Sequence, residues 1–597
     1  MAYSFYLGSS GSGKTERAFL DMIEASLEAP EERFFVLVPE QYSMLVQKKL
    51  LALHPRHASR NLEALSLNRL AYRVFQERNV QLPPIMDESG KAMVVRRVGS
   101  LLEQELTLWK GKVKKAGFAE QVKSMISECL QYGAAPSRFA ELAETEKKRQ
   151  LSMKLRDFSL LYQGVRDFVQ GKQLPKEEIL GCFAGCIASS ELLRGAHILL
   201  AGFVGFTPVQ YRVLEELLAV AADVRFVVSL DTALNPYRQL PEEELFHLST
   251  EYIRRIGEIA DRVRVSHGED RSFPGAARLK APELAFLDAH ALRYDGAIYP
   301  DKVQALTVAA QESPEAEAAA LSRHILRLVK DEGYRYRDIA VVVADFQGLG
   351  EFFSEALLAA GIPAHLDENL TVRANPLPEL LNAALLCVRE NFSPRTFFRF
   401  LHNPLVTDQW KLTALLENYV TLTGVRHLKR LREPFSYCPR ELEGADLEAL
   451  NRFKEEMLNL LLPLREAFSE GEADVAVIAA LLEELMERLA VEEKLQHAAE
   501  RFLAAGEAPR AREFSEVFPE TQRILREMRE VLAGERLSRA DMAGVLESGL
   551  REIHIGQIPA YADRVTLGDL TRTRFLDVKV LFLLAANDSV LPKRREE

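Results

Sequence analysis

Apolar positions follow two rhythms along this chain. Short, nearly continuous apolar runs of strand length stand at residues 3–7 (YSFYL), 33–39 (RFFVLVP), 196–203 (AHILLAGF) and 224–231 (VRFVVSLD). Between and after them, apolar residues recur at helical spacing, as in 17–27, in 62–75 where a short strand passes into a helix, and in 207–222. Continuous apolar strands alternating with amphipathic helices predict a parallel sheet with helices on both faces. From 82 to about 194 the strand signal stops and long amphipathic helices rich in Lys and Glu take over, which predicts a helical insertion between two parts of one α/β unit (1–81 and 195–300).

The same order then repeats. Strands are expected at 303–310 (VQALTVAA), 338–345 (DIAVVVAD) and 362–366 (IPAHL), with helices at 314–330 and after 346. Residues 375–555 are again helical, with apolar stripes such as LEALNRFKEEMLNLLLPL, whose Leu and Met are core positions. Runs at 565–570 and 578–588 restore the strand pattern, so 301–374 and 556–597 form a second α/β unit around its own insertion.

The chemistry concentrates between the first strand and the first helix. Residues 8–15 read GSSGSGKT and fit G-x-x-x-x-G-K-[ST], the phosphate-binding loop. Gly8, Gly11 and Gly13 permit backbone conformations that turn successive N–H groups, including those of Ser9, Ser10 and Ser12, around a phosphate, and the following helix offers its positive end to the same anion. Lys14 is expected to reach the β and γ phosphates of ATP, and the Thr15 hydroxyl to ligate Mg²⁺. Strand, loop and helix in that order set this apart from a chance Gly/Ser turn.

Composition narrows the setting. The 597 residues suffice for about four domain-sized units. Apolar (47%) and charged (27%) fractions are those of a globular protein. No apolar run reaches the ~18 residues that span a bilayer, and the N-terminus lacks a secretory pattern, so no membrane association and a cytoplasmic location are expected. Five scattered cysteines (129, 182, 186, 387 and 438) argue against a disulfide framework. Cys182 and Cys186 share a helix face, without the further Cys or His that a metal site needs. The net charge of −11 gives no global attraction to nucleic acid, which leaves local basic clusters as candidate contacts: Lys110, Lys112, Lys114 and Lys115; 147–149; and 426–432.

Several stretches resemble the AddB family, the B subunits of bacterial AddAB (RexAB-like) helicase/nucleases. They are GSSGSGKT at Gly8, VLVPEQYS from Val36, AGFVGFTPVQ from Ala201, AAQESPEAEAAALSRHI from Ala309, YRYRDIAVVV from Tyr334 and VLFLLAANDSVLP from Val580. The resemblance implies a superfamily 1 helicase-like α/β fold of two RecA-like P-loop lobes, each interrupted by a mostly helical insertion. It implies ATP and Mg²⁺ as cofactors, double-strand ends and single-stranded DNA as partners, an AddA-type motor/nuclease subunit as the other half of a heterodimer, and recognition of a regulatory Chi sequence during repair. The nuclease domain and iron–sulfur cluster that the resemblance implies are expected only beyond residue 597.

Two departures stand out. A hydrolysing P-loop enzyme places carboxylates at the end of the strand that carries its Mg²⁺. Here that strand ends in Ala201, Gly202 and Phe203. Asp231, at the end of the next strand, is the nearest alternative, and a turn that closes a strand explains it better. No catalytic residue is assigned, and a scaffold that holds nucleotide without hydrolysing it stands beside the ATP-driven reading. A P-loop kinase or transport ATPase is disfavoured by the two split α/β units. Residues 561–564 (YADR) resemble a nuclease motif without its acidic companions and read as a turn, and Arg572 and Arg574 are candidates for sensing the γ phosphate.

Overall fold

The computed structural model describes residues 1–113, 115, 117–293, 295–367, 370–371, 375–437, 440, 446–555, 563–571, 573 and 578–592. The chain divides into two compact units, Met1–Thr307 and Val308–Glu597.

The first unit is built on a parallel sheet. Its strands are β1 (Ala2–Gly8), β2 (Phe34–Leu37) and β3 (Leu62–Leu65), and, after a separate two-strand pair of β4 (Ile85–Met86) with β5 (Leu174–Pro175), β6 (His197–Leu200), β7 (Asp223–Ser229), β8 (Ser266–His267) and β9 (Arg271–Phe273). The order is β3-β2-β6-β7-β1-β8, and β9 pairs with β1 beyond β8, so that Gly8 lies opposite Phe273. The period-two alternation sorts each strand's residues between two cores. Tyr3, Phe5, Leu7, Phe35, Leu37, Ile198, Leu200, Val224, Phe226 and Val228 face one side, where they pack with residues of α3 (Leu67–Glu77), α8 (Ile179–Ile187), α9 (Pro208–Val220) and α10 (His247–Val263). Tyr6, Phe34, Val36, Leu199 and Val227 face the other, under α1 (Lys14–Glu28) and α2 (Ser43–Leu53). Covering both faces is what makes the runs continuously apolar.

Between α3 and β6 the chain forms α4 (Glu88–Leu101), α5 (Phe118–Tyr132), α6 (Pro136–Thr145), α7 (Arg149–Val169) and α8. Of these, α8 lays Ile179, Phe183 and Ile187 directly on the sheet core. Cys182 and Cys186 pack against that core as free thiols, and Cys438 lies outside the described residues.

The second unit holds a smaller parallel sheet. It contains α12 (Pro314–Lys330), β10 (Ile339–Val343), α13 (Phe346–Ala359) and β11 (Ala364–Leu366), then a long helical stretch from α14 (Pro376–Arg389) to α22 (Arg539–Leu550), and closes with β16 (Val565–Asp569) and β17 (Val580–Leu584). The order is β11-β16-β10-β17, all parallel, with Val341, Val343, Val565 and Leu567 in its core. Two short antiparallel pairs accompany the helices: β12 (Leu370–Thr371) with β15 (His554–Ile555) at the ends of the stretch, and β13 (Glu472–Asp474) with β14 (Arg536–Ser538) within it.

One expected strand does not form. Residues 303–310 pair with no strand among the described residues, and their apolar side chains face solvent, with Val308 91% exposed. Its Val and Thr favour strands, but among the described residues the run meets no sheet edge to pair with. Among the described residues no helix is long and apolar enough to cross a membrane.

Candidate nucleotide-binding site

Gly8 ends β1 and Lys14 opens α1, leaving 9–13 as the connecting loop. Gly11 (φ 78°) and Gly13 (φ 85°) both adopt left-handed backbone, which a side chain disfavours, and Gly13 is the helix N-cap. Gly8 has a different reason for lacking a side chain: a Cβ there would lie 2.8 Å from the Phe273 carbonyl oxygen. The amide of Leu230 donates to the Gly8 carbonyl (2.9 Å), fixing the loop's entry against β7.

Lys14 is only 6% exposed, and its ammonium donates to the Ser9 carbonyl at 2.9 Å, with no ion pair among the described residues. Burial pulls its pKa from 10.5 down to about 8, and the Asp288 carboxylate pushes the other way. Ser12 Oγ is buried and has no hydrogen-bond partner among the described residues. Thr15, the expected metal ligand, is half-buried at the first turn of α1. A buried ammonium held by a carbonyl alone, beside a buried hydroxyl without a partner, is a donor set suited to phosphate oxygens.

The expected carboxylate partner is absent from β6. That strand lies one strand away from β1, beyond β7, and leads into Ala201 and Gly202 (φ 81°), after which Phe203 and Phe206 turn back into the core. Asp231 is occupied: it accepts from the Ala233 amide (2.9 Å) and pairs with Arg293, and both hold its carboxyl below the usual range. The carboxylate whose charge does reach Lys14 is Asp288, on α11 (Pro282–His290), in a stretch whose sequence reads only as a mixed connector.

Other candidate positions scatter. Lys110, Lys112, Lys115, the cluster 147–149, and Arg426, Lys429, Arg430 and Arg432 are exposed, the last three on a short helix (Leu428–Arg432) that buries Leu428 and Leu431. Lys114, Tyr561, Ala562, Arg572 and Arg574 lie outside the described residues. Asp563 accepts from the Arg337 amide at 2.9 Å, a turn contact. Among the described residues, no group of three or more His, Cys, Asp and Glu is placed to hold a metal ion.

The chain is an α/β protein in which a glycine-rich loop joins the first strand of a parallel sheet to a helix capped on left-handed glycine. Residues 5–288 match the family described as "ADDB, N-terminal". The chain is 32% identical to the B subunit of the ATP-dependent helicase/deoxyribonuclease of Lachnoclostridium phytofermentans, over 99% of its own length and 52% of that protein's. It is 31% identical to the protein of the same name from Moorella thermoacetica and 30% identical to that from Pelotomaculum thermopropionicum, each over 100% of this chain and 53% of the relative. The chain is thus similar to these B subunits, and it spans about half the length of the curated relatives it matches.

Proposed function

We propose that this chain is the helicase-like portion of the B subunit of an ATP-dependent helicase/deoxyribonuclease that processes double-strand DNA breaks for recombinational repair in the cytoplasm. In this reading residues 1–81 and 195–300 form one RecA-like lobe, 301–374 and 556–597 the other, and 82–194 and 375–555 are helical insertions. Gly8 to Thr15 hold ATP: the loop amides and Lys14 take the phosphates, and Thr15 takes Mg²⁺, which supplies charge neutralisation there. DNA, as double-strand ends and single strands, runs over exposed basic side chains, a Chi sequence is read during passage, and an AddA-type motor/nuclease subunit is the partner. The observation that carries the reading is the buried, carbonyl-held Lys14 in a glycine loop, within a chain whose relatives are named for ATP-dependent helicase activity.

A second reading is favoured by the end of β6. With Ala201 and Gly202 where a metal-bearing carboxylate belongs, and Asp231 tied to Arg293, the loop is equipped to hold a nucleotide and not to hydrolyse it. The chain alone is therefore expected to retain ATP in equilibrium dialysis yet show no DNA-stimulated phosphate release. Turnover that Lys14→Ala abolishes sinks this second reading, and failure of the wild-type chain to bind ATP sinks both.

DNA binding through surface Lys and Arg makes its own prediction. Affinity for a blunt duplex is expected to fall about 100-fold or more between roughly 50 and 200 mM salt, since each neutralised phosphate releases a counterion. A flat salt profile in a fluorescence-anisotropy titration removes the DNA assignment.

A further inference from the structure

The stretch from β9 through α11 to Arg293 wraps the phosphate loop from outside. Its first strand runs beside β1 up to Gly8, and the Ser9 hydroxyl donates to the Gly275 carbonyl at 3.4 Å. The Arg278 amide donates to the Gly11 carbonyl at 2.9 Å, and a Cβ on Gly11 would come within 3.3 Å of Arg278 Cβ. Further on, Asp288 bears on Lys14, and Arg293 pairs with Asp231. This strap thus meets the loop at both its serine-rich entry and its central glycine.

Three arginines punctuate the strap. Arg271 is committed to Asp21 (2.6 Å), a buried carboxylate on α1 that also accepts from the Tyr6 hydroxyl, and Arg293 is committed to Asp231. Arg278 is exposed and forms no ion pair among the described residues, although its main chain is bonded directly to the phosphate loop. Lys14 is the loop's own cation, and Asp288 offsets part of its charge. A triphosphate brings more negative charge to that spot than one Mg²⁺ and a Lys14 partly offset by Asp288 neutralise, so the site is short of positive charge.

We propose that Arg278 is a second phosphate-binding cation of this site, delivered in cis by the strap to a nucleoside triphosphate held on Gly8 to Thr15. The inference rests on the nucleotide reading of that loop. Guanidinium suits the task because its planar fork bonds two phosphate oxygens at once, and because the backbone bond to Gly11 fixes where the side chain starts. The loop's central glycine has the same explanation from the other side: it leaves the space that Arg278 fills.

The test is titration of the 597-residue chain with a fluorescent ATP analogue, with inorganic tripolyphosphate as competitor. Arg278→Ala is expected to weaken both ligands about tenfold or more, and Arg278→Lys to recover part of the loss. Because the side chain is exposed, the unliganded melting temperature is expected to be unchanged while the ligand-induced shift shrinks. Wild-type affinity in Arg278→Ala overturns the proposal and leaves the loop assignment standing. A lower unliganded melting temperature with no recovery by Lys also overturns it, by making the residue structural. If the wild-type chain binds neither ligand, the loop assignment itself fails and the proposal with it.

Discussion

Lys14→Met is expected to weaken nucleotide binding upwards of roughly 30-fold while raising the melting temperature of the unliganded chain. The two effects share one cause. An ammonium at 6% exposure with a single carbonyl partner is poorly compensated for its lost hydration, which is why its pKa falls to about 8. In the proposed complex phosphate oxygens supply the missing charge, so truncation of the lysine is expected to cost the bound state about 2–5 kcal/mol, upwards of roughly 30-fold in affinity. In the unliganded chain a thioether of similar length fills the same space without the desolvation penalty. The sign of the pH dependence follows. Below about pH 8 the lysine is protonated both folded and unfolded, and the penalty is fully present. Between about 8 and the ordinary value of 10.5 the unfolded chain binds more protons, so wild-type stability gains a rising component with pH that Lys14→Met lacks. Nucleotide affinity runs the opposite way, falling as pH passes about 8, because the free site must then take up a proton on binding. Calorimetric titration in buffers of different ionisation enthalpy measures that proton directly; no uptake at about pH 8.5 contradicts the assignment of Lys14.

The two parts of this site differ in how far the sequence discloses them. GSSGSGKT is legible because its conformational demands are local: left-handed φ at Gly11 and Gly13 needs glycine whatever surrounds it. The sheet is legible because strands buried on both faces read as nearly continuous apolar runs, as Phe34 to Leu37 do without a break and Val224 to Val228 do with Arg225 alone between apolar residues. The strap is not, since β8 and β9 are two and three residues long and carry Ser266, His267, Arg271 and Ser272, a composition that alone gives no strand. Their pairing is set by the free edge of β1, a property of the assembled sheet. Asp288 likewise acts on Lys14 from a distant part of the sequence, with no spacing rule to announce it. Residues 303–310 show the converse, strand propensity that meets no edge.

In the helical stretch before β6, Lys91→Met is expected to cost about 3–5 kcal/mol of local stability, more than any surface substitution nearby. Lys91 is 1% exposed, and its ammonium donates to Glu88 (2.6 Å), to Ser127 Oγ (2.6 Å) and to Glu177. These contacts join the first turn of α4, the middle of α5 and the 3-10 turn Lys176–Glu178 that leads into α8, the helix lying on the sheet. The partners are unequal. Glu88 is half exposed and recovers hydration when the lysine goes, whereas the Glu177 side chain is buried, and its second oxygen already lacks a partner among the described residues. Removing the lysine therefore strands a buried carboxylate, while Glu177→Gln leaves the ammonium two acceptors and costs less. Replacing both, Lys91→Met with Glu177→Leu, is expected to recover much of the loss, because an apolar pair needs no compensation. Amide exchange in α4, α5 and α8 reads the effect locally, which a chain of two compact units requires. Equal loss of protection in Lys91→Met and the double variant means that packing around the lysine stem, and not the stranded charge, holds these three elements together.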